Sequence, residues 1–120
     1  MTEIINSKPY DLADRTFLFT KHVVALTKTL PRTIANVEFV KQLIRSAGSV
    51  GANYIEANEA LSKKDFTMRI KICRKECKES HYWLRLVEGK GEGFDSARDA
   101  LVKEAIELMK IFNAIIEKSK

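Results

Sequence analysis

From Lys63 to Arg85 the chain carries eight basic residues (Lys63, Lys64, Arg69, Lys71, Arg74, Lys75, Lys78, Arg85) and three acids (Asp65, Glu76, Glu79). This segment nets +5, the whole excess charge of the protein, so the remaining residues sum to zero. On a helix that turns about 100° per residue, Lys64, Lys71, Lys75, Lys78 and Arg85 share one side, with Arg74 at its margin. A cationic stripe on a rigid element selects an anionic partner, RNA or DNA first. Tyr82 and the two arginines among the lysines add groups that stack on bases and pair with phosphates, which suits single-stranded or structured RNA. Neither a recognition helix nor an RNP-type motif accompanies them, so phosphate contact rather than base readout is expected. The candidate nucleic-acid-binding residues are therefore Lys64, Lys71, Arg74, Lys75, Lys78 and Arg85. The competing reading of the same stripe is a solvated lysine face.

Other chemistry is weakly provided for. A di-iron bundle needs Glu-x-x-His pairs, and neither His22 nor His81 follows a glutamate by three residues. No metal or cofactor is expected. Cys73 and Cys77 stand four apart, at core spacing, where a buried thiol behaves as a small hydrophobe. Arg45, Ser49, Asn53 and Glu56 line up on one helical face. Arg45 and Glu56 lie too far apart to pair, about 16 Å at 1.5 Å per residue, so this face is expected to bond to a neighbouring helix or subunit. Without a nucleophile–base pair, an enzyme is not expected.

The elements that must position these residues are four helices. Apolar residues recur at alternating spacings of four and three in four segments. They are Leu12, Thr16, Phe19, Val23, Leu26 and Leu30; Val40, Leu43, Ala47, Val50, Tyr54, Ala57 and Leu61; Phe66, Ile70, Cys73, Cys77, Ser80, Leu84 and Val87; and Leu101, Ala105, Leu108, Phe112 and Ile115. Pro31 closes the first, because the residue before proline avoids the α region. Asn36 is read as the N-cap of the second and Ser62 as that of the third. Gly89, Gly91 and Gly93 break the chain before Ser96 opens the fourth. Helices are thus expected at about 11–30, 36–61, 63–88 and 96–118, in one all-α domain. Short connections make consecutive helices antiparallel, giving an up-down-up-down four-helix bundle. No apolar run reaches the roughly 18 residues of a membrane span. Met1–Ser7 lacks the basic-then-apolar pattern of a signal peptide, so a cytoplasmic location is expected.

Two helices carry more apolar surface than one core needs. Met68, Ile72, Trp83 and Leu86 lie away from Phe66 and Ile70, and Ile106 and Met109 join Val102 and Ile116 in a second line on the fourth helix, interrupted by Asn113. These residues are expected to form a homo-oligomer interface, because an exposed patch containing Trp and Met marks a protein contact. Within the second helix, Ser46-Ala47-Gly48-Ser49-Val50-Gly51-Ala52 places two glycines where each costs up to about 1 kcal/mol. Close approach of a neighbouring helix is the expected reason, with Phe17 or Phe19 filling the groove; a ligand at the backbone is the alternative.

The run Gln42 to Ala57, then Ser62-Lys63-Lys64-Asp65-Phe66, then Lys75-Glu76 through Glu79 to Trp83-Leu84, resembles the 23S rRNA intervening-sequence protein family. Tyr10-Asp11-Leu12, Arg15-Thr16-Phe17 and Leu30-Pro31 extend the resemblance over nearly the whole chain, with Arg45 to Phe66 its most specific part. The resemblance implies a small bacterial cytoplasmic four-helix bundle that assembles as a homopentamer. It also implies kinship with the accessory proteins of diversity-generating retroelements, basic pentameric barrels that engage nucleic acid and a reverse transcriptase. No catalytic residue or cofactor comes with it. The expected function is non-enzymatic binding of nucleic acid, RNA foremost, through the stripe. The alternative is a protein-interaction scaffold whose cationic face receives an acidic protein such as a polymerase.

Overall fold

The computed structural model describes residues 11–120. Met1–Ser7 and Tyr10, read above for a leader and for the family resemblance, lie outside the described residues. Four helices make up the fold, α1 (Leu12–Thr27), α2 (Ile34–Asn58), α3 (Lys63–Leu86) and α4 (Gly91–Lys118), with no strand among the described residues. α1 packs on α2 and α4, and α3 packs on α2 and α4. Pairs along the α2–α3 and α1–α2 seams run in opposite sense. Arg69 meets Asn53 while Arg45 meets Glu79, and Thr20 bonds to Ala47 while Gly51 lies against Thr16. The result is the expected antiparallel bundle.

The three–four spacing places the core. Phe19 and Val23 of α1, Leu43 and Val50 of α2, Ile70 and Leu84 of α3, and Leu108 and Phe112 of α4 are essentially inaccessible. Each such side chain contributes about 1.5–3 kcal/mol by leaving water. The small residues of α2 permit close seams on both sides. Ser46 and Ser80 hydroxyls meet at 2.9 Å inside the α2–α3 seam, and the Thr20 hydroxyl donates to the Ala47 carbonyl at 2.9 Å across the α1–α2 seam. A Cβ on Gly51 would sit 3.2 Å from the Thr16 hydroxyl oxygen. Phe19 is in the core, whereas Phe17 is 62% exposed beside this seam.

Helix ends differ from the expected ones for identifiable reasons. α1 stops at Thr27, before Pro31, where the Lys28 and Thr29 N–H groups bond to the carbonyls of Val24 and Leu26 and the hydroxyls of Thr27 and Thr29 donate to the same two carbonyls. The cap of α2 is Thr33, whose hydroxyl accepts from the Asn36 amide at 3.0 Å. Asn36 is instead a buried clamp. Its side-chain amide donates to the Pro31 carbonyl at 2.9 Å and the Glu88 carbonyl at 2.8 Å, and its side-chain oxygen accepts from the Glu88 N–H at 3.0 Å. One side chain thereby ties the α1–α2 and α3–α4 connections together. Ser62 caps α3 as expected, accepting from the Asp65 amide at 3.0 Å.

α4 begins at Gly91, earlier than Ser96. Gly91 turns the chain with φ +89°, a conformation that suits glycine. The buried Phe94 ring then occupies the space beside Gly89, where any Cβ would collide with it. Arg98 lies 5.2 Å over that ring. Tertiary burial of Phe94 thus outweighs the poor helix propensity of the glycines.

Candidate nucleic-acid interface

The inward positions Ile70, Cys73, Cys77, Ser80 and Leu84 fix the rotation of α3. Lys64, Lys71, Lys75, Lys78, Tyr82 and Arg85 are consequently exposed. Lys71, Arg74, Lys75 and Lys78 form one wall of a groove of about 800 Å³ between α3 and α4. Met109, Lys110 and Asn113 supply the α4 wall. Arg74 is held across the groove, one guanidinium N–H donating to the Asn113 side-chain oxygen at 2.8 Å. Among the described residues, no carboxylate lies within 4.0 Å of Lys71, Lys75 or Lys78.

The acids and one arginine of α3 are largely drawn toward α2. Arg45 pairs with Glu79 at 2.6 Å and approaches the buried Glu76 to 3.5 Å, close enough for attraction but without a hydrogen bond. Arg69 donates to Asn53 at 2.9 Å, and the Asn53 amide donates to the Ser49 hydroxyl and carbonyl, each at 2.9 Å. Of the polar face Arg45, Ser49, Asn53 and Glu56, the first three are joined to α3 as expected of a face bonded to a neighbouring helix, whereas Glu56 is exposed and makes no such bond among the described residues. The Asn53 contact also turns Arg69 toward α2, and Arg69 is not part of the α3–α4 groove.

The other end of the groove is aromatic. Tyr82 is 54% exposed. Its ring meets Trp83 edge-on, with centroids 4.9 Å apart and planes at 78°. Trp83 in turn rests on Phe39 of α2 at 5.9 Å. The Trp83 indole N–H is buried without an acceptor among the described residues, so packing rather than hydrogen bonding holds this ring.

Of the six residues assigned from sequence to nucleic acid, the structure brings Lys71, Arg74, Lys75 and Lys78 into the groove. Lys64, on the first turn, and Arg85, on the last, lie outside it. Lys110 and Asn113 escaped sequence reasoning, the only hint being that Asn113 interrupts an apolar line. The residues assigned to an oligomer face also divide. Met68 is 49% exposed. Ile72, Leu86 and Ile106 are half-buried. Trp83 and Met109 pack against the core and line the cationic groove. The cationic and second apolar stripes are therefore not separate sides of α3, because large side chains lean across the helix–helix groove and mix the two.

A second groove, of about 640 Å³, separates α1 from α2. Phe17, Val24, Ala52 and Ile55 line it, beside Gly48, above which there is open space. The sequence does not announce this apolar surface, since Phe17 or Phe19 is expected from it to fill the groove, and Phe17 instead lies exposed along the rim.

Cys73 and Cys77 are free thiols in the core. Burial pushes the Cys73 thiol up to about 12, and burial together with the nearby Cys73 drives Cys77 still further in the same direction. Both are inert at neutral pH, since the thiolate is the reactive form. His81 is lowered by burial and by Arg85, so it adds no charge to the stripe near pH 7. Among the described residues, no three His, Cys, Asp or Glu side chains group as metal ligands would.

These features define an antiparallel four-helix bundle with one outer groove walled by cations and closed by aromatic rings. The chain belongs to the 23S rRNA-intervening sequence protein family, which matches residues 8–114. It is similar to a solved structure from Bacteroides thetaiotaomicron, described as a protein with unknown function from the S23 ribosomal protein family. That likeness has a TM-score of 0.76 and 31% sequence identity, covering 87% of this chain and 96% of the other. No curated protein matches the sequence. None of the described helices is long and apolar enough to cross a membrane.

Proposed function

We propose that this protein is a non-enzymatic, homo-oligomeric bundle, a pentamer, that binds nucleic acid, RNA foremost, through the cationic surface of α3. The observation that carries the reading is the row Lys71, Lys75 and Lys78, without carboxylate partners among the described residues, on the same groove as Arg74 and Lys110. Lysine and arginine cations that neutralise phosphates release the counterions condensed on the nucleic acid. With five or six such contacts, affinity falls about 10²–10³-fold between roughly 50 and 200 mM salt. Lys64 and Arg85 extend the charged surface beyond the groove, and repetition around a ring makes it multivalent.

Replacing Lys71, Lys75 and Lys78 with glutamate tests the reading. Retention on immobilised RNA is expected to be lost while the helical circular dichroism is kept. Unchanged retention would remove the stripe as the site. Retention of an acidic protein by the wild type, with none of RNA, would favour the scaffold reading instead. Light scattering tests the assembly. Met68→Glu probes the face expected on α3 and Phe17→Glu the apolar groove of α1 and α2; a monomeric wild type would defeat self-association on either face.

A further inference from the structure

We infer that the α3–α4 groove takes a short unpaired stretch of nucleic acid, its phosphates along Lys71, Lys75 and Lys78 and one base seated on Tyr82. The inference rests on the nucleic-acid reading and specifies the form of the ligand.

Cations stand on both sides of the groove, the lysines of α3 facing Lys110 of α4, whose exposed ammonium group also lies 3.6 Å from Glu107. A strand lying between them is contacted from two sides. A duplex cannot be, because packed helices stand only about 8–10 Å apart axis to axis and a duplex, wider than the cleft, meets only its rim. Arg74 is already anchored by Asn113 at 2.8 Å. Its remaining N–H donors are thereby pre-oriented, which lowers the ordering cost of meeting a phosphate.

The groove is also polar along its length. Lys71, Lys75 and Lys78 occupy one stretch of the α3 wall, and Glu79 and Tyr82 follow. Glu79 is held at its place by Arg45 at 2.6 Å. The paired carboxylate offers phosphate no donor, which leaves that end for a base. Tyr82 offers the surface. Its ring is braced edge-on by Trp83 at 4.9 Å, and Trp83 is backed by Phe39 at 5.9 Å. A braced, half-exposed ring loses little freedom when a base stacks on it, and every base has a face to offer. From Lys71 to Tyr82 the α3 wall runs about 16 Å at 1.5 Å per residue, room for a few nucleotides.

The test measures binding of the full chain to a short fluorescent oligouridine and to an RNA duplex of equal length, with a 2-aminopurine base placed in the single strand as a stacking reporter. The unpaired strand is expected to bind about tenfold tighter than the duplex, with a log–log salt slope near −3.5, about −0.7 for each of five cations. Tyr82→Ala is expected to weaken the single strand by about tenfold, to abolish 2-aminopurine quenching and to leave duplex binding unchanged. Tyr82→Phe should restore both. Lys110→Glu should weaken the single strand more than the duplex. Equal or tighter binding of duplex, with Tyr82→Ala without effect on either, would overturn the unpaired-strand inference; loss of that binding in the triple lysine variant would show that the nucleic-acid reading survives. No binding of either probe at low salt would overturn both.

Discussion

The α3–α4 and α1–α2 grooves of the bundle differ in lining and in how their walls are held. The α3–α4 groove is walled by Lys71, Lys75, Lys78 and Lys110, and α3 is pinned to α2 by Arg45–Glu79, Arg69–Asn53 and Ser46–Ser80. The α1–α2 groove is lined by Phe17, Val24 and Ile55. Its α1 wall is held across the bundle by Thr20 on Ala47 and by Arg15 on Glu104. Polar pins suit a surface that must present charges at fixed spacing, because each ammonium group placed in advance need not be ordered on binding. An apolar groove with open space above Gly48 has no such requirement. It behaves as a surface whose affinity for another apolar face scales with area. Charge reversal on α3 should therefore change ligand binding without changing mass, and a charge at Phe17 should do the reverse.

The largest stability effect expected away from the grooves is at Asn36, the clamp beneath the α3 end of the molecule. Its three side-chain hydrogen bonds join Pro31, Glu88 and α2. Asn36→Leu leaves two carbonyls and an N–H without these partners in a buried place, a loss of about 3 kcal/mol. Chemical denaturation measures it. If α3 is the rigid side, amide exchange should quicken at the α3–α4 connection in this variant. A loss under about 1 kcal/mol would mean that water replaces the side chain there and that the clamp is dispensable.

The helices and the inner face of α3 are legible in the sequence because their signals are local. Apolar residues at three–four spacing bury one stripe, and Ser62 meets its own Asp65 amide three residues on. The lysine wall is legible for the same reason. The α4 wall is not, since Lys110 and Asn113 join it only through the register between two helices, which no local pattern encodes. Trp83 and Met109 illustrate the same limit: helical angles assign them to a face of their own, while the packed structure brings them to the lysines. Asn36 was misassigned because an amide three residues past a cap and an amide acting as a cap look alike until the Glu88 backbone arrives from a residue 52 positions away. The start of α4 depends on Phe94 filling the space beside Gly89, another contact that glycine spacing does not announce.

A smaller effect tests the α1 side. Arg15 donates from Nε to Glu104 Oε2 at 2.7 Å and from Nη2 to Oε1 at 2.9 Å, a bidentate pair between α1 and α4. The hydrogen bond to Glu104 raises the already high pKa of the guanidinium, so Arg15 stays charged throughout the neutral range. Both side chains keep about a third of their surface in water, so screening limits the contribution of the pair. Arg15→Ala is expected to cost about 1 kcal/mol and to quicken amide exchange in α1 more than in α3. Equal quickening in both helices would contradict the contrast between a thinly held α1 and a pinned α3.

The smallest effect concerns Trp83, the ring under Tyr82. Its N–H is buried without an acceptor among the described residues, so Trp83→Phe forfeits no hydrogen bond there. Removing an unsatisfied buried donor gains about 1–3 kcal/mol, while the smaller ring gives up apolar contact worth about 1–2 kcal/mol. The two terms oppose each other, and the net change in unfolding free energy should stay within about 1 kcal/mol of zero. Phenylalanine still braces Tyr82 and still rests on Phe39, so oligouridine affinity should hold. A drop of more than about 2 kcal/mol would imply that the indole N–H has an acceptor, and would place Trp83 among the polar pins of α3 instead of among its packing.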